Sequence, residues 1–163
     1  MGNGYTKDNT NVYFRARKAA AEYDERLCSR AGASELIGVS ESSLADYELG
    51  NTKVVPVDKV VLMSELYHCP ELKTGYCKHE CPIGRSMPIA TRETGIEGTT
   101  LRLIKQLNPE RMREIKNGLV DIAADGVIDE AEKADLKEIL DNLDELALVI
   151  SELRLIGEKA LKG

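Results

Sequence analysis

The fold is decided by the stretch Ser29-Arg30-Ala31-Gly32-Ala33-Ser34-Glu35-Leu36-Ile37-Gly38-Val39-Ser40-Glu41-Ser42-Ser43-Leu44-Ala45-Asp46-Tyr47-Glu48-Leu49-Gly50. Ser34, four positions before Gly38, is small enough to let two helices cross closely. Gly38 is free to take the left-handed conformation that closes a tight turn between them. Val39 is placed to plug the space between the helices, and Ser40 to cap the second one through its hydroxyl. Leu44 and Tyr47, three apart, then face inward, while Glu41, Ser42, Ala45 and Asp46 face out. The expected local structure is two short helices, 29–37 and 41–49, meeting at a tight corner.

Helical signals continue on both sides. Asn11 is placed to cap a helix through Tyr13, Phe14, Arg17, Ala20 and Ala21. Pro56 opens a fourth helix over 57–67. The nearest strand candidate, Lys53-Val54-Val55-Pro56-Val57, is short and interrupted by proline. Further on, a helix over 99–107 stops at Asn108-Pro109, and a second runs to 124 with Met112, Ile115, Leu119 and Ile122 on one face. A third starts at Asp129 and runs nearly to the end. The fold class is therefore all-α: an N-terminal helix–turn–helix bundle and a C-terminal helical domain with a long terminal helix. The partition reads 1–10 flexible arm, 11–68 helix–turn–helix domain, 69–98 Cys/Pro-rich connector, and 99–163 helical dimerisation or interaction domain.

Composition narrows the function classes. The 163 residues carry 22 Lys plus Arg against 28 Asp plus Glu, a formal charge of −6, which argues against coating nucleic acid by bulk charge. Trp is absent and Phe occurs once, so Leu, Ile, Val and Ala must build the core. No apolar run reaches membrane-spanning length and the first residues lack signal-peptide character, so a cytoplasmic protein is expected. No phosphate-binding glycine loop, nucleophile elbow or His-Glu-x-x-His occurs, and the two His lie in or next to the connector, so no enzyme is expected.

From about Tyr13 to Tyr67 the chain resembles the lambda-repressor-like (XRE/Cro-type) helix–turn–helix domain. The resemblance rests on the small residue before Gly38-Val39-Ser40, the inward Leu44 and Tyr47, the Glu48-x-Gly50 ending and the proline-initiated fourth helix. Residues 65–84 (ELYHCPELKTGYCKHECPIG) further resemble a variant found in Firmicutes and their mobile elements. The likeness covers about half the chain. It implies a transcriptional regulator, a dimeric repressor that lays the helix 41–49 in the major groove of double-stranded DNA. It implies that Ser40, Glu41, Ser42, Ser43, Ala45 and Asp46 face the groove, with Arg30 and Lys53 on phosphates. It also implies a partly buried ion pair between Glu48 and Arg17, with Arg15 as the alternative partner. The recognition helix departs from the usual pattern in lacking Arg, Lys, Gln and Asn. Over residues 1–68, eight basic side chains face ten acidic ones, a balance that favours weak DNA binding unless two copies act together. The alternative use of the same fold is a protein-interaction adaptor or antirepressor.

Cys69, Cys77 and Cys81 lie within thirteen residues, with His79 among them. Three readings stay open: a zinc site made by Cys69, Cys77, Cys81 and His79, a disulfide or redox pair, and structural thiols; beyond that zinc, no cofactor is expected. Asp121, Asp125, Gly126, Ile128 and Glu132 have the spacing of a calcium loop, but Ala123 stands where a ligand is needed. A helix-to-helix turn, with Gly126 ending one helix and Asp129 and Glu132 boxing the next, accounts for every residue. Leu136, Leu140, Leu143, Leu146, Ile150 and Leu153 recur at heptad-like steps and are expected to form a homodimer seam, or a strip for a protein partner.

Overall fold

The computed structural model describes residues 10–162, and among them every regular element is helical, with no strand. Of the arm read over residues 1–10, only Thr10 lies within the described residues. The chain divides into two units, residues 1–85 together with 159–163, and residues 86–158.

In the first unit, capping side chains set most helix starts, because the first turn of a helix leaves N–H groups without partners. Asn11 accepts from the amides of Tyr13 (2.8 Å) and Phe14 (3.3 Å) and begins α1, Val12–Ala20. A 3₁₀ turn, Glu25–Cys28, is headed by Asp24. Ser29 accepts from the Gly32 amide (3.0 Å) to begin α2, Arg30–Ile37. Ser40 does the same for Ser43 (3.1 Å) to begin α3, Glu41–Leu49. Pro56 precedes α4, Val57–Leu66, and Pro70 precedes α5, Glu71–His79. One core joins all five helices: Ala16 and Ala20 from α1, Ile37 from α2, Leu44 and Tyr47 from α3, Val60 and Met63 from α4, and Leu72 from α5.

The stretch 69–98, read from sequence as an irregular connector, is therefore partly a folded element. Gly75 and the flanking Pro70 and Pro82 read as breaks, but a proline at a helix start costs no hydrogen bond. Leu72 and Tyr76, one turn apart, put α5 on the core. After it the chain turns back so tightly that a Cβ on Gly84 would stand 2.1 Å from the Cys77 carbonyl oxygen.

In the second unit α6 spans Ile96–Gln106, three residues earlier than its sequence pattern suggests. Asn108 caps α7, Pro109–Ile122, through the amides of Glu110 and Arg111. The turn to α8, Glu132–Lys162, contains the capping box: Asp129 accepts from the Ala131 and Glu132 amides while the Glu132 carboxylate accepts from the Asp129 amide at 3.0 Å. Gly126 holds φ 74° in the same turn. Ile115, Ile122 and Ile139 are buried together, with Met112, Leu136 and Leu143 packed against them. Among the described residues no helix is long and apolar enough to cross a membrane.

Candidate nucleic-acid interface

The corner between α2 and α3 is closed as its residues require. Gly38 sits at φ 69°, ψ 47°, a left-handed conformation that glycine adopts at little cost. The amides of Gly38 and Val39 both reach the Ser34 carbonyl, at 2.9 and 3.1 Å. Val39 is partly buried against the core, and Ser34 is buried. Lys59 of α4 adds a contact that the sequence pattern does not signal. Its Nζ lies 3.2 Å from the Ile37 carbonyl oxygen and 3.5 Å from that of Gly38, a cation on the carbonyl end of α2.

The orientation of α3 is fixed from its other end by a buried carboxylate. Glu48 is fully buried, and Arg17 of α1 is 2% exposed. Arg17 donates from Nε to Glu48 Oε1 (2.5 Å) and from Nη2 to Oε2 (2.9 Å), a fork-to-fork pair. Its Nη1 reaches the Leu27 carbonyl (2.9 Å) and that of Cys28 (3.3 Å), and its guanidinium carbon lies 5.5 Å from the centre of the Phe14 ring. Arg15, the alternative partner, is exposed. Arg30 also donates, from Nε to Glu48 Oε2 at 2.7 Å, so one carboxylate ties α3 to both α1 and α2. Arg30, expected on phosphate alone, thus has one edge committed inside the protein, with its side chain 27% exposed. Tyr67 lies beside this group. Its hydroxyl is buried without a partner among the described residues, and burial followed by the nearby Glu48 charge raises its pKa.

The outward side of α3 presents Glu41, Ser42 and Asp46 fully, with Ser43 and Ala45 half-buried beside them. The serines are bound to one another: Ser40 Oγ lies 3.0 Å from Ser42 Oγ and 2.8 Å from Ser43 Oγ. Asp46 accepts from the Asn51 side chain at 3.0 Å. Lys53, just beyond α3, is exposed. Three of the residues expected at the groove, Ser40, Asp46 and Arg30, thus also hold the motif together.

The expected metal set is not assembled. Among the described residues no three His, Cys, Asp or Glu side chains converge as a metal-binding group, and all four cysteines are free. The reason lies in α5. Cys69 precedes the helix and Cys77 lies eight residues on, a rise of about 12 Å, while His79 is two residues past Cys77 and points to another side. Burial, then the neighbouring Glu71 carboxylate, raises the Cys69 thiol from its ordinary 9.0 to about 11.

The expected dimer seam on α8 is also divided. Leu136 and Leu143 pack inward on α7, Leu146 and Leu153 are half-buried, and Leu140 and Ile150 are 52% and 43% exposed. A straight α-helix drifts about 20° per heptad against a seven-residue repeat, so a heptad stripe on this 31-residue helix does not stay on one face. Comparison with protein-family models, with curated proteins and with solved structures gives no match.

Proposed function

We propose that the chain is a sequence-selective DNA-binding regulator of the lambda-repressor-like kind, a repressor that occupies a two-fold operator as a dimer with α3 in the major groove. The observation that carries this reading is the triple anchoring of Glu48. Burying a carboxylate under two guanidinium groups to fix a nine-residue helix is worthwhile where that helix must be presented in one orientation. Lys53 at one end and Arg30 at the other would flank the groove as phosphate contacts. A cytoplasmic location goes with this reading.

A second reading has an observation of its own. The outward side of α3 is acidic and hydroxylic, and Val54, Val57 and Val61, in the loop and helix that follow it in sequence, are exposed at 45%, 56% and 40%. An adaptor or antirepressor would use that surface on another protein. The two separate on Lys53→Glu, which touches nothing in the core. Under the DNA reading it weakens binding to a selected duplex about tenfold in moderate salt, measured by anisotropy. Unchanged DNA affinity would favour the protein partner.

A further inference from the structure

In the second unit α6 turns Thr99, Arg102 and Gln106 inward and Leu101 and Ile104 outward. Thr99 is fully buried, Arg102 pairs with the buried Glu152 and donates to Thr94 Oγ1 at 2.6 Å, and Gln106 donates to Glu145 at 3.0 Å. On the other side Leu101 is 70% exposed and Ile104 64%. Two large apolar side chains on one face of an amphipathic helix, both in solvent, mark a surface that a partner covers.

The pattern around Leu101 says which partner. Glu97 lies four residues before it and Lys105 four after; Gly98 lies three before and Ile104 three after. All five are exposed and all fall on one face. A Cβ on Gly98 would meet nothing within 4 Å, so the surface above it is open. Neither the Glu97 nor the Lys105 side chain is hydrogen-bonded or ion-paired among the described residues.

We propose that this face binds the same face of a second copy of the chain, with the two α6 helices antiparallel about a two-fold axis through Leu101. In that arrangement Leu101 meets Leu101, Ile104 enters the space above the partner's Gly98, and Glu97 lies beside the partner's Lys105, each contact made twice. Parallel pairing would set Glu97 on Glu97 and Lys105 on Lys105. Charge also selects this face within the unit. Residues 86–158 carry nine basic against sixteen acidic side chains, so two copies repel over most of that surface, whereas one acid and one base balance on this side of α6. The contact runs along about 12 Å of helix, so the dimer is a dissociating one, held in the micromolar range. This assignment does not rest on DNA binding.

Sedimentation equilibrium of the full chain without DNA, over about 5–200 μM, tests it. The chain should dimerise. Glu97→Lys or Lys105→Glu alone should weaken the dimer about tenfold or more, because two attractions become two repulsions, and the double swap E97K/K105E should restore it. Leu101→Asp should give a monomer. All of these positions are exposed, so helicity by circular dichroism should stay unchanged. A wild-type monomer throughout the range would overturn the assignment. So would a dimer indifferent to Glu97→Lys and Leu101→Asp, a double swap that fails to rescue, or a dimer broken by Leu140→Asp and Ile150→Asp on α8 instead.

Discussion

Glu48 is a buried anion whose two cations come from different helices, and its energetics follow from desolvation. Removing one member strands the other in the core. Glu48→Ala should therefore cost about 3–5 kcal/mol, read from the urea midpoint, whereas Arg17→Met with Glu48→Leu together should cost less than either single change. Singles within about 1 kcal/mol of wild type would contradict this. Tyr67→Phe should be neutral or stabilising, since it removes a buried hydroxyl that has no partner among the described residues. Cys69 carries a pH signature. Its thiol keeps its proton to about 11 in the folded chain against an ordinary 9.0, so below pH 9 it has no effect on stability. Between pH 9 and 11 the unfolded chain releases the proton first, and stability falls as pH rises. Tyr13, raised by burial and then by Glu80 to about 12, adds to the loss above pH 10. Cys69→Ala should flatten the pH 9–11 part of urea midpoints measured against pH, and a curve unchanged by the substitution would refute the assignment. The family likeness was enough to pair Arg17 with Glu48. It did not show Arg30 turning to the same carboxylate or Lys59 reaching the Ile37 carbonyl, because both depend on how helices distant in sequence are angled.

Helix boundaries were legible wherever a cap with its own chemistry marks them. Asn11, Ser40 and the Asp129–Glu132 box act as the sequence suggests, and Ser29 and Asn108, read there only as the start and the end of helices, turn out to be caps as well. The α2–α3 corner was legible for the same reason. Gly38→Ala there should cost about 1–2 kcal/mol from the left-handed backbone, since the nearest atom to a new Cβ is the Lys59 ammonium at 3.9 Å. Gly84→Ala should cost more, because there the obstacle is backbone. α5 was hidden by its composition: a helix with glycine inside and prolines outside has little local signal, and only its packing holds it. Leu72→Ala should accordingly cost about 2–5 kcal/mol by thermal or urea unfolding; a loss under about 1 kcal/mol would mean α5 is not part of the core. The apolar stripe on α8 is the opposite case. Its local periodicity is strong, but a repeat of apolar residues does not say which of them a neighbouring helix has already covered.

At the scale of the molecule the two units divide the proposed work. The first orients α3; the second offers a self-complementary helix face that would bring two copies together. Doubling matters because one unit has little basic charge: eight basic against ten acidic side chains over residues 1–68 leave few phosphate contacts per copy. Affinity from phosphate neutralisation grows with the number of phosphates engaged, so a dimer on two half-sites gains what a single copy lacks. Monomeric variants such as Leu101→Asp should then lose DNA affinity as well as self-association, while their α3 surface is unaltered. The most direct test of α3 as a DNA-reading helix is selection of bound fragments from random-sequence duplexes, followed by anisotropy titration of the winner at several salt concentrations. The expected result is an enriched, two-fold symmetric site whose affinity falls linearly on a log–log plot as salt rises. No enrichment, or binding indifferent to sequence, would contradict it.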